Sequence, residues 1–287
     1  MVAGIIPTKL KPEWCDVNLP RAAKDANRML GCIEQTEQER DYLCKTTSFA
    51  DTSIKVIPES DWKEAVREKG DYTLRLLQIP TKDQNGEGSC TSNAMTSGYE
   101  YRLAATYGRR FWIEFSPMSL YQLCGTSAGG GSTLSCNMSK ARESGFIPAN
   151  SAANRERFDK MVLKAVGFSQ RSNPRPAGWR EFAINFCVEE WVKITTVEQF
   201  ATCLLLNIPV LYGRSGHAIL GVALVYRNGR WYVDYHNSWR HDWGDDGHGY
   251  DTLGSWLLGY GCYAPVSIKH PTIDGLHLPP TPTINAV

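Results

Sequence analysis

Residues Gln84-Asn-Gly-Glu-Gly-Ser-Cys90 set a thiol at the end of a glycine-rich turn, where a helical run begins. Ala94, Tyr101 and Ala104 predict that this helix spans 90 to 107. A thiol there faces the free N–H groups and the positive end of the helix dipole. Such a setting favours the thiolate, the nucleophilic form. A thiolate nucleophile needs a base to shuttle its proton and a donor for the oxyanion. His217, which opens the apolar run His-Ala-Ile-Leu, is the candidate base. Asn237 is the candidate amide to accept from one ring nitrogen and fix the other. Gln84, six residues before the thiol (90 − 84), is the candidate oxyanion donor beside the Cys90 N–H. Each has a bland reading by itself: inert core thiol, satisfied core histidine, turn asparagine, solvated loop glutamine.

Their order and spacing lower the joint weight of those readings. His217 follows Cys90 by 127 residues (217 − 90) and Asn237 by 147 (237 − 90). Papain-like cysteine peptidases place His and Asn ~130–150 residues after their nucleophile. Other stretches resemble that family too. They are Ile57-Pro-Glu-Ser-Asp-Trp62, Ser116-Pro117 to Cys124, Ala128-Gly-Gly-Gly131, Asn207-Ile-Pro209-Val210 and Asn237-Ser-Trp239 with Trp243-Gly244. The likeness covers roughly 57 to 268 in order.

The resemblance implies an α+β, two-lobe fold. A helical lobe would carry the cysteine, a β-barrel-like lobe the histidine and asparagine, and the cleft would lie between. It implies a cysteine endopeptidase with Cys90 as nucleophile, His217 as acid/base, Asn237 as orienter and Gln84 in the oxyanion hole. Gly129, Gly130, Gly131 and Gly216 would meet extended substrate, and Trp239 would shield the His–Asn bond. No cofactor or metal is implied, and the partner is a polypeptide substrate. The sequence departs from the pattern at Glu87, Thr91, Ala128 and Arg240. Two family cysteines that pair with each other are both missing, which fits a reducing compartment.

The positioning elements follow from periodicity. Ala22, Ala26, Met29, Leu30 and Ile33 predict one amphipathic helix over 20 to 44, with Asn18 as cap and Pro20 in its first turn. Residues 46 to 56 read as a linker. Helices are expected over 115–125, 136–145 and 197–207, and strands from 189 onward, with Asn228-Gly229 as a hairpin turn. Three regions result: an N-terminal extension or pro-segment over 1–53, a peptidase domain over 54–268 and a proline-rich tail over 269–287. The helix at 20 to 44 is expected to dock on its own cleft or on another chain.

Composition is that of an ordinary soluble protein of 287 residues, 42% hydrophobic and 21% charged, with a formal net charge of +1. That balance points to neither nucleic acid nor membrane as partner. Neither an export signal nor a membrane-spanning run is apparent. Nine cysteines without CxxC or zinc spacing suggest a mostly reduced, intracellular or virion-associated protein. Polar His241, Asp242, Asp245, Asp246 and His248 miss the EF-hand spacing and read as a turn. Two other functional classes stay open: a cysteine amidase acting on cell-wall peptide, and a silent structural protein of an assembly such as a virion.

Overall fold

A computed structural model describes residues 9–69, 74–126, 130–163, 173–272, 276, 278 and 279. The chain folds into a helical lobe and a β lobe, the two-lobe α+β arrangement expected from the sequence. Helix α4 (Cys90–Tyr107) is the axis of the helical lobe and is buried along nearly its whole length. It has no polar stripe: small Ser, Thr, Ala and Gly residues let neighbours approach, and Tyr99, Tyr101 and Leu103 fill the gaps. A helix of that kind is a core helix. Around it stand α5 (Met118–Cys124), α6 (Leu134–Glu143) and α7 (Ala152–Phe158). Tyr99 stacks on Phe146 at 4.5 Å, and Phe115 meets Phe186 at 5.0 Å. Such ring pairs add ~0.5–1.5 kcal/mol each beyond their burial.

The β lobe is a sheet in the order β2-β4-β9-β5-β6-β7-β8, seven strands among the described residues, with the short β2 (Thr47–Ser48) at one edge. Its main strands are β4 (Val188–Ile194), β5 (Val210–Arg214), β6 (His217–Arg227), β7 (Arg230–His236), β8 (His248–Thr252) and β9 (Cys262–Ile268). Ser215 and Gly216, both at positive φ, close the β5–β6 hairpin in two residues, with Arg214 opposite His217. Asn228-Gly229 closes β6–β7 in the same way. Two positive φ values are what a right-twisted two-residue hairpin requires. Helices α3 (Glu59–Lys69) and α8 (Val197–Leu205) cover the far face, where Trp62 is buried and its indole N–H donates to Ile57 O at 2.8 Å.

Residues 9–53 wrap the body as a strap and depart from the single helix expected over 20 to 44. The strap forms α1 (Leu19–Asp25), an extended stretch ending in β1 (Cys32–Ile33), and α2 (Glu37–Cys44). Asn18 does cap α1, accepting from Arg21 N at 3.1 Å. Asn27 at φ 50° stops it, and Thr36 opens α2 with a reciprocal capping box to Glu39. Strong start and stop signals outweighed a loose apolar stripe. The expected linker over 46 to 56 is also docked. β2 (Thr47–Ser48) pairs in parallel with β4, and Phe49 and Ile54 are buried.

A disulfide joins Cys124 at the end of α5 to Cys136 in α6. The expected largely reduced state does not hold for this pair, and disulfides persist in oxidising surroundings. Cys32, Cys187 and Cys203 are free and buried. Among the described residues, no helix is long and apolar enough to cross a membrane.

Candidate active site

Cys90 is the first residue of α4 and is fully buried. The turn before it is locked from behind: Asn93 Nδ2 donates to the Ser89 carbonyl at 2.9 Å and to its hydroxyl at 3.0 Å. Burial pushes the Cys90 thiol up, and the N–H groups of Ala218, Gly31 and Thr91 act against that by donating toward the sulfur. The Ala218 contact fixes the lobes relative to each other, because Ala218 follows His217 on β6.

His217 is also fully buried. Its Nε2 donates to Asn237 Oδ1 at 2.8 Å, leaving Nδ1 as the nitrogen without a hydrogen. Among the described residues Nδ1 has no hydrogen-bond partner. The Asn237 oxygen also accepts from Ser238 N at 2.8 Å, which holds the amide in place. Trp239 lies against the ring at 4.8 Å between centroids and is 1% exposed. It keeps water from the His–Asn bond. Burial lowers the His217 pKa to about 4, the Asn237 bond opposing and the Arg214 charge adding to the effect. Thiol and imidazole are therefore both neutral in this state.

Gln84 comes to the site on the loop before Cys90, tied to Ser238 O through its own N–H at 2.9 Å. Its Oε1 accepts from the Ser238 hydroxyl at 2.7 Å and from Trp239 Nε1 at 3.2 Å. Those two donors fix the amide so that Nε2 points into the cleft. There it donates to Glu87 O and to Met29 O, both at 2.7 Å. Ser238 was not singled out by sequence reasoning. Its position between Asn237 and Trp239 was the available signal.

The strap fills the cleft. Gly31 N–H faces the Cys90 sulfur, and Gly31 O accepts from Ser132 N at 2.8 Å. Cys32 N donates to Gly216 O at 2.9 Å. Cys32 and Ile33 pair in parallel with Ser132 and Thr133, the short strand β3. Gly131, at φ 91°, lies under this crossing, and a Cβ there would sit 2.4 Å from Gly31 O. Of the glycines expected to hold extended chain, Gly131 and Gly216 meet the strap. Gly130 is exposed, and Gly129 lies outside the described residues. The N–H that bonds the strap on this wall is that of Ser132. Leu30 packs with Leu19 and Ala23 of α1 over Trp239. Arg28 and Asp83 form an ion pair at 3.0 Å beside the Gln84 loop.

Of the polar residues after Trp239, His241, Asp242 and Asp246 are exposed in the turn between β7 and β8, whereas half-buried Asp245 and buried His248 join a network beneath it. His248 Nδ1 meets Asp234 at 2.7 Å, and Arg75 reaches Asp234 at 3.1 Å and Asp245 at 2.8 Å. His236 stacks on His248 at 4.4 Å and holds the Thr81 hydroxyl at 2.7 Å. That last bond ties the end of β7 to the segment leading into Gln84.

No protein-family model matches the sequence, and no curated protein matches it significantly. Solved structures do. Xylellain, a cysteine protease from Xylella fastidiosa, superposes with a TM-score of 0.54 at 13% identity, over 84% of this chain and 95% of that one. Digestive procathepsin L2 from Tenebrio molitor gives 0.54 at 14%, over 90% and 80%. A structure from work on the mite allergens Blo t 1 and Der p 1 gives 0.52 at 16%, over 84% and 81%. By these likenesses the chain has the papain-like fold.

Proposed function

We propose that this protein is a cysteine endopeptidase held latent by its own N-terminal strap. One observation carries the reading. Cys90, Gln84, Gly131 and Gly216 all converge on the same extended backbone, Met29–Cys32. A site whose groups close on four residues of peptide main chain suits an extended polypeptide substrate. Residues 1–53 then act as a pro-segment, 54–268 as the peptidase domain and 269–287 as a tail.

In the open enzyme the Cys90 thiolate attacks the scissile carbonyl. Gln84 Nε2 and the Cys90 N–H hold the oxyanion, in place of the Met29 carbonyl that the amide holds in the closed state. His217 Nδ1 takes the thiol proton and returns it to the leaving amine. Asn237 keeps that nitrogen aimed at the sulfur. Water then hydrolyses the acyl-enzyme with His217 as base.

The test is hydrolysis of casein and of fluorogenic peptides after the strap has been cut and removed. Cys90→Ala and His217→Ala are expected to lose all turnover, and Gln84→Ala to lose ~10²–10³ in kcat. Full turnover by Cys90→Ala would refute the mechanism. Clearing of cell-wall suspensions without peptide release from casein would move the assignment to an amidase.

A further inference from the structure

The strap brings a second thiol to the nucleophile. Cys32 follows the residue whose N–H faces the Cys90 sulfur. Its own N–H is held by Gly216 O at 2.9 Å, next to His217, and its β1 partner is Ser132. The Thr91 hydroxyl, next to Cys90, donates at 3.3 Å to the carbonyl of Ser132, the residue that pairs with Cys32. Cys32 is 6% exposed and packs in the same apolar cluster as Cys90. The approach is set by backbone: a Cβ on Gly31 would stand 2.0 Å from Gly88 O, two residues before Cys90. Neither thiol is engaged by the Cys124–Cys136 bond.

We propose that Cys32 and Cys90 form a reversible disulfide when the protein meets a peroxide, which bolts the strap across the site. The balance is simple. One sulfur, as thiolate, attacks the O–O bond of hydrogen peroxide, giving a sulfenic acid and water. The second thiolate attacks that sulfur and displaces its oxygen as water. Two thiols and one peroxide give one disulfide and two waters; the sulfurs lose two electrons and the peroxide gains them. Burial holds both thiols protonated, so the bond forms as the strap breathes and water enters. A thiol reductant reverses it. The bond protects Cys90 from irreversible oxidation and keeps a cut strap attached. That regulatory consequence rests on the peptidase reading, whereas the bond itself does not.

The experiment treats the reduced full-length chain with hydrogen peroxide, blocks free thiols under denaturing conditions with N-ethylmaleimide and maps the digest by mass spectrometry. The expected product is a Cys32–Cys90 peptide lighter by two hydrogens. It disappears on reduction, and Cys90 alkylation is then regained. In Cys32→Ser the same treatment is expected to drive Cys90 to sulfinic and sulfonic acids, with permanent loss of alkylation. The wild-type cross-link is read without any variant, so a poorly folding Cys32→Ser does not blunt the test. A Cys32 that stays fully blocked by N-ethylmaleimide, or a Cys90 over-oxidised alike in both proteins, overturns the proposal. A cross-link in a chain that hydrolyses no peptide after strap removal supports the bolt and removes the peptidase reading. Turnover without a cross-link does the reverse.

Discussion

A methyl group on Gly31 has nowhere to go. It would lie 2.0 Å from Gly88 O, and both atoms belong to main chain that is held on each side. Gly31→Ala is expected to lift the strap from Cys90 while the body stays folded. Iodoacetamide should then alkylate Cys90 at least tenfold faster than in wild type, the factor for ~1.4 kcal/mol of lost closure. An unchanged rate would mean that the crossing yields without cost. His217 gives a second test at the same scale. Folded, its pKa is about 4; unfolded, it returns to 6.5. Between those values the unfolded chain binds a proton that the folded one does not, so stability falls on acidification. The Cys90 thiol stays protonated in both states over this range and adds nothing. The loss is about 2 kcal/mol by pH 5. His236, lowered by burial beside His248, adds in the same direction. His217→Gln should therefore show a smaller drop in Tm from about pH 7 to about pH 5 than wild type.

Among the elements, α2 is the part of the strap with the clearest local code. Thr36 accepts from Glu39 N at 3.2 Å, and Glu39 Oε2 accepts from Thr36 N at 2.9 Å. Thr36→Ala should cost ~1 kcal/mol and speed Cys90 alkylation by roughly fivefold, if α2 helps to hold β1 down. Hydrogen exchange confined to residues 32–48 would localise the effect. The same motif shows what the sequence made legible. Thr36-Glu-Gln-Glu39 is a capping box in plain view, yet the apolar spacing from Ala22 to Ile33 suggested an unbroken helix. Helix α4, the Asn228-Gly229 hairpin and the pairing of His217 with Asn237 were readable, because periodicity, turn chemistry and family spacing agreed. The crossing of Cys90 by Gly31 was not readable. It depends on contacts between residues 31, 88, 131 and 216, which no local pattern links. The Cys124–Cys136 bond was hidden for the same reason: spacing alone cannot pair cysteines.

At the scale of the whole molecule the strap is anchored at many separate places. Asp16 accepts from Thr252 N at 2.7 Å, and Cys15 bridges Tyr250 at the β8 end. Leu19 and Ala23 cover Trp239, residues 29–33 line the cleft, and Lys193 meets Glu37 at 3.0 Å and Asp41 at 2.7 Å. Arg142 of α6 donates to Lys45 O at 3.1 Å. Anchors this dispersed behave as one interface once the chain is nicked. A tryptic cut after exposed Lys55 should leave the fragment bound. The two pieces should co-elute on gel filtration at the intact size and separate only in denaturant. Elution of the larger piece alone under native conditions would contradict this.

Strand β2 gives that retention a further meaning. It is the outermost strand of the sheet and covers the free side of β4. When it leaves, the backbone around Val192 and Lys193 presents unpaired donors and acceptors to whatever comes next. A bare edge of that kind recruits other chains. The segment that shuts the site thus also keeps each molecule from adding itself to its neighbour. A chain trimmed to begin at Thr47 is expected to open its cleft and still elute at the size of one chain on gel filtration.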